Sequence, residues 1–165
     1  MLKTSNNHGF TLVELMITIA LLAIVATIAV PNFVQFIRNN QVQAKADELG
    51  TFLQYARSQA AAKRESYIVN LTTWKIYPAS KPSEVERELD INAAQATIRH
   101  NLSDTPAVLT FSGQGMASST VKLSVCRDTD AANGYLLEIR PSGLVKRYQR
   151  GKKDDSNALT SCTSL

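Results

Sequence analysis

Every side chain from Leu15 to Val30 is apolar except Thr18 and Thr27, and the wider stretch from Phe10 to Val34 carries a single charge, Glu14. A bilayer core is crossed by roughly 20 consecutive apolar helical residues, so this stretch predicts a membrane-spanning helix. A carboxylate inside such a span costs up to a few kcal/mol unless it lies near the interface or finds a partner, which makes Glu14 a functional candidate. A secretory signal peptide would have a basic start, a shorter apolar core and a small-residue cleavage site. Here Lys3 is the only Lys or Arg before the run, and Ala20, Ala23, Ala26 and Ala29 recur at threes, with no pair at i, i+2. A plain single-pass anchor explains the span but not the pattern Gly9-Phe10-Thr11-Leu12-Val13-Glu14 that opens it.

That pattern, from Gly9 through Pro31, resembles the type IV prepilin family, whose members carry a short leader ending in Gly followed by a Phe-Thr-Leu-hydrophobic-Glu start. The resemblance implies cleavage between Gly9 and Phe10 by a prepilin peptidase, and N-methylation of the new Phe10 amine. Glu14 then stands at the fifth mature position. Unlike charges about 4 Å apart at an effective dielectric of about 20 attract by about 4 kcal/mol, so Glu14 is expected to pair with the Phe10 amine of a neighbouring subunit and set register.

Lys3 on the short N-terminal side orients that side to the cytoplasm by the positive-inside tendency, leaving the bulk of the chain periplasmic. The formal charge of +4, from 18 basic and 14 acidic residues, becomes 17 − 14 = +3 once Lys3 leaves with the leader, too mild a balance to name a partner. The 165 residues leave one small soluble domain beyond the span.

From Phe33 to Lys63 there is no Pro and one Gly, so the helix is expected to continue to Lys63. Pro31 removes one intrahelical hydrogen bond and crowds the Thr27 carbonyl, which predicts a kink or local unwinding; a proline at this place is habitual in the family. Val42, Ala46, Leu49, Leu53, Ala56 and Ala60 recur at spacings of three and four with Phe52 beside them, an apolar stripe suited to a sheet. Arg38, Gln43, Lys45, Asp47, Gln54 and Arg57 form the polar side. Four segments follow: leader 1–9, membrane or bundle helix 10–34, amphipathic helix 35–63, and a β-rich head 64–165.

In the head, Tyr67, Val69 and Leu71 alternate with Ile68 and Asn70, and Trp74 and Ile76 with Lys75 and Tyr77. Val108 to Phe111, Val121 to Cys126, Tyr135 to Ile139 and Leu144 to Tyr148 read as further strands, about six in all, in antiparallel hairpins. Pro78 to Gln95 shows no alternation and reads as an exposed loop with one helical turn. The fold class is therefore α+β, a long N-terminal helix packed on an antiparallel β-sheet domain. With Phe111-Ser112-Gly113-Gln114-Gly115 and the Ser142-Gly143 hairpin, Phe33 to Arg150 resembles the FimU/FimT and H-type pseudopilin branch, closest to FimU-type minor pilins.

Cys126 and Cys162 are the only cysteines, and the compartment reached after insertion is oxidising, so a disulfide is the leading reading. A C-terminal disulfide is also a property of the FimU-type relatives. Cys126 shares its strand face with Lys122 and Ser124, placing it to meet a tail crossing the outside of the sheet.

No phosphate loop, nucleophile elbow or dinucleotide fingerprint is present, and the two histidines, His8 and His100, make no zinc set with two cysteines. Neither enzymatic activity, a cofactor nor a metal is expected; Asp128/Asp130 and Asp154/Asp155 read as turn residues. Lys146, Arg147, Arg150, Lys152 and Lys153 around Tyr148 could grip DNA phosphates, as the basic C-terminal motif of FimT-type pilins does. Gly143-Leu144-Val145-Lys146 lacks the first Arg of that motif, and a solvated strand end explains the cluster more simply.

The resemblance implies a minor pilin of an initiating or tip complex that primes a type IV pilus, with other minor and major pilins, the prepilin peptidase, the inner-membrane assembly platform and membrane lipid as partners. The alternatives are an H-type pseudopilin of type II secretion and a DNA-binding minor pilin of DNA uptake.

Overall fold

The computed structural model describes residues 10–163. One helix, α1, runs from Leu12 to Lys63 and is followed by eight strands. They are β1 (Tyr67–Asn70), β2 (Lys75–Pro78), β3 (Arg87–Glu88), β4 (Thr97–His100), β5 (Val108–Phe111), β6 (Val121–Arg127), β7 (Asp130–Ile139) and β8 (Val145–Arg147). The chain divides into two compact units, Met1–Ile37 and Arg38–Leu165.

The start of α1 is capped by Thr11, whose hydroxyl accepts the Glu14 amide N–H at 3.2 Å. Its end is a Schellman turn: Arg64 is left-handed (φ 52°) and the Glu65 N–H reaches back to the Ala60 carbonyl at 3.2 Å. Pro31 lies inside the helical run, with helical residues on both sides. The lost bond at one residue is tolerated where the neighbouring turns keep their own. Within Met1–Ile37, the large side chains Phe10 through Ile37 are exposed, and the helix carries a window of mean hydropathy 2.6, long and apolar enough to cross a membrane.

In Arg38–Leu165 the stripe Val42, Ala46, Leu49, Phe52, Leu53, Ala56 and Ala60 is buried, as its spacing predicts. Two four-stranded antiparallel sheets complete the unit, in orders β3-β2-β1-β5 and β4-β6-β7-β8. One core joins the helix stripe to Tyr67, Val69, Ile76, Leu109 and Phe111 of the first sheet and to Val121, Leu123, Val125, Leu137 and Ile139 of the second. A smaller cluster, Cys126, Ala131, Leu136, Tyr148, Leu159 and Cys162, lies on the other face of the second sheet.

Three sequence expectations change. The stretch from Pro78 to Gln95 is not a plain exposed loop: it contains β3, pairs with β2 and buries Leu89. A two-residue strand is too short to show alternation. Lys45 sits on the buried side of α1, its ammonium donating to Glu48 at 2.6 Å and to the Asp90 carbonyl at 2.7 Å. The strands number eight rather than about six: β3 is too short to show periodicity, and β4, Thr97–His100, carries one apolar residue, Ile98, among polar ones.

Candidate functional site

At the N-terminal end, Phe10 and Glu14 are both exposed, and Glu14 belongs to the first turn of α1. Thr11 and Glu14 are the first and last residues of a Thr-x-x-Glu capping pattern before an apolar run, a signal present in the sequence and overlooked there. The helix N-terminus carries partial positive charge, so a carboxylate in the first turn is favoured even before any partner arrives. Gly9, the expected cleavage position, and His8 lie outside the described residues.

At the C-terminal end, Cys126 and Cys162 are joined with their Cα atoms 6.2 Å apart across 36 residues. The bond fastens a strap that crosses the outer face of β6 and β7. Ser124, fully buried on that face, donates its hydroxyl to the Cys162 carbonyl at 2.7 Å. Leu159 buries itself there, and the Gly151 N–H donates to the Gly134 carbonyl at 2.8 Å. Gly134 must be glycine: a Cβ there would stand 2.5 Å from the Cys126 sulfur. Beside the strap is a polar cavity of ≈ 350 Å³ between Lys122, Glu138 and Tyr148 of the sheet and Lys153, Asp154 and Thr160 of the strap. The Tyr148 hydroxyl donates to Glu138 at 2.7 Å, which holds that carboxyl below its ordinary range and raises the phenol. Asp154 accepts the Asn157 N–H at 2.6 Å and the Asn157 amide, and is held at about 2.

The basic cluster is largely occupied within the molecule. Lys146 pairs with Asp155 at 2.7 Å and lies over the Tyr148 ring. Arg147 pairs with Asp47 of α1 at 3.2 Å, and Arg150 donates to the Tyr135 hydroxyl at 3.1 Å and to Gln43 of α1 at 3.3 Å. Both guanidiniums face the Tyr135 ring. The cluster therefore fastens α1 to the second sheet, a role that local sequence could not reveal because its partners lie about a hundred residues away. Lys153 carries its charge close enough to Asp154 to favour that carboxylate. Among the described residues, no group of three or more His, Cys, Asp or Glu side chains gathers as a metal ion requires.

Two junctions escaped sequence reasoning. Glu86 accepts from Lys63 at 2.6 Å and from the Tyr67 hydroxyl at 2.7 Å, tying the segment before β3 to the end of α1. These bonds lower the Glu86 carboxyl and raise the Lys63 ammonium. Arg57 of α1 donates to the carbonyls of Gly115 at 3.1 Å and Ser142 at 3.4 Å. Gly143 (φ 77°) packs so closely that a Cβ would lie 1.9 Å from the Gly115 oxygen, which is why both glycine turns are needed.

An apolar N-terminal helix that runs on into a head of antiparallel sheets, with one carboxylate, Glu14, in its exposed first turn, defines a pilin-type subunit. Residues 4–30 match the prokaryotic N-terminal methylation motif, and residues 45–143 match the type II transport protein GspH. The chain belongs to the GspH family, whose fold is that of structural pilins, and is a minor pilin-like protein related to FimU. It is similar to the crystal structure of the type IV minor pilin FimU from Pseudomonas aeruginosa PAO1 in space group P21. That likeness has a TM-score of 0.61 and 26% identity, over 77% of this chain and 98% of that one. FimU in space group P65 shares the fold at a TM-score of 0.57 and 24% identity, over 73% and 98%. The type IV major pilin protein PilA of Myxococcus xanthus DK1622 is 52% identical over 42 residues, 25% of this chain and 19% of that protein. The chain thus matches about a fifth of that curated relative's length.

Proposed function

We propose that the chain is a minor pilin of a type IV pilus that joins an initiating or tip complex and primes assembly. The observation that carries this reading is the match of 77% of this chain to nearly the whole of the FimU chain at 26% identity. In this reading a prepilin peptidase cuts between Gly9 and Phe10, the Phe10 amine is methylated, and the apolar segment anchors the chain in the inner membrane with the head in the periplasm. The exposed apolar segment then enters a helix bundle with other minor and major pilins, delivered by the assembly platform. Glu14 meets the Phe10 amine of a neighbour there, from the first helical turn that the Thr11 hydroxyl caps. The second reading is an H-type pseudopilin of type II secretion, favoured by the GspH match over residues 45–143.

Deleting the gene and scoring sheared surface pili and secreted exoproteins separates the two, with a complemented strain beside it. Loss of pili with normal secretion is the expected result; normal pili with lost secretion would move the chain to the secretion machine. In the complemented strain, Glu14→Ala should leave cleavage largely intact and lower the amount recovered in sheared fibres at least tenfold. Equal recovery would rule out the pairing role.

A further inference from the structure

The cavity of ≈ 350 Å³ beside the strap takes no part in the assembly reading, and its walls carry both signs of charge. That volume lies at the small end of the range for small-molecule sites. Lys122 of β6 stands directly opposite Glu138 of β7, and both line the cavity. Such a cross-strand pair usually closes on itself. Here it does not: Glu138 turns instead to Tyr148 and Arg140, and both of those hydrogen bonds end on one oxygen, Oε2, at 2.7 and 3.3 Å. Among the described residues no hydrogen bond reaches the other oxygen, Oε1, although the Glu138 side chain is only 16% exposed. The Lys122 ammonium likewise makes no hydrogen bond among the described residues, and its charge reaches Glu138 only through space.

The second carboxylate of the cavity is already spent. Asp154 Oδ1 accepts the Ser156 and Asn157 N–H groups at 2.9 and 2.6 Å, and Oδ2 accepts the Asn157 side-chain amide at 2.9 Å. Leu136 (2% exposed) from the sheet and Leu159 (6%) from the strap give the same cavity an apolar wall. An ion of one sign is poorly served by this arrangement: an anion drawn to Lys122 meets Glu138, and a metal cation drawn to Glu138 meets Lys122. A full charge in a largely buried wall is best matched by a hydrogen-bonded charge of opposite sign. The matching molecule therefore carries an ammonium and a carboxylate close together, beside an aliphatic group.

We propose that this cavity binds a free α-amino acid with an aliphatic side chain. Its carboxylate meets the Lys122 ammonium, its ammonium meets Glu138 Oε1, and its side chain lies against Leu136 and Leu159. A peptide carries its two charges at opposite ends and satisfies half of the site at most. The site belongs wholly to the head and is independent of the machine that carries the chain.

The test uses the full chain in mild detergent, titrated with L-leucine, N-acetyl-leucine, leucinamide and glucose, and followed by calorimetry and saturation-transfer NMR. L-Leucine should bind saturably, at one site per chain. N-Acetyl-leucine lacks the ammonium and leucinamide lacks the carboxylate, so each should bind about tenfold or more weakly. Lys122→Met and Glu138→Gln should each weaken L-leucine binding by about the same factor, with thermal melting of the variants unchanged. If Glu138→Gln loosens the Tyr148 contact and lowers the melting point, Lys122→Met alone carries the comparison. No saturable binding of L-leucine would overturn the proposal, as would equal binding of either blocked form. Glucose binding in place of L-leucine, or an L-leucine affinity unmoved by Lys122→Met, would overturn it too. None of these results bears on the pilus and secretion phenotypes of the deletion strain, so the two ideas fail separately.

Discussion

Arg64 holds a backbone conformation that costs a residue with a side chain about 1–2 kcal/mol, because the helix must end in a left-handed turn there. Arg64→Gly is therefore expected to stabilise the head by about 0.5–1 kcal/mol after the extra freedom of glycine in the unfolded chain is set against the relief of strain. Chemical denaturation checks this through the midpoint at unchanged slope. Gly143→Ala should act in the opposite sense and cost roughly 2 kcal/mol or more, since its methyl meets the Gly115 oxygen and its φ is 77°. The sequence showed the glycines of both turns but not their purpose, which depends on Arg57 approaching from another element. Glu14 was legible because an isolated carboxylate in an apolar run violates local physics. Glu86 was not, because its partners Lys63 and Tyr67 come from other segments and nothing about an acidic residue in a charged stretch stands out.

Periodicity made the longer elements readable. The stripe of α1 and the alternation of β1, β6 and β7 are visible because one face of each meets the common core. β3 and the strap are short and take their conformation from tertiary contacts. At this scale the Glu86 junction predicts a pH dependence. Glu86 titrates below its ordinary 4.5, so its contribution is present above that value and is lost as the pH falls through the depressed one. Lys63 titrates above its ordinary 10.5, so its contribution is present below 10.5 and is lost only at still higher pH. Amide protection across residues 79–88, taken relative to the intrinsic exchange rate at each pH, should accordingly be high between about pH 5 and 10 and fall on the acid side, while Glu86→Gln flattens the acid limb. The strap makes a second prediction. Replacing Cys126 and Cys162 together by Ala should lower stability by roughly 3 to 4 kcal/mol in the chain-entropy model and open residues 151–163 to proteolysis before the rest of the head.

Both units keep their own logic at the scale of the whole chain. Among the described residues the core of Arg38–Leu165 begins at Val42, so a chain beginning at Arg38 should be soluble and melt in one cooperative transition, with a lower midpoint under reducing conditions. The full chain, carrying the exposed apolar stretch, should instead sediment with membranes. A transition broadened into two steps for the head alone would show that its two sheets do not share one core.

The helix that enters the head at Arg38 is also the rod at its centre, buried along one stripe from Val42 to Ala60 against both sheets. Tension applied along that rod would load the side chains of the stripe simultaneously, in shear, instead of peeling them away one after another. Arg57 and the Arg147–Asp47 pair add cross-ties at separate levels. Such a head is built as a spliced joint, whose strength under pull grows with the length of overlap and outlasts what its equilibrium stability alone would suggest.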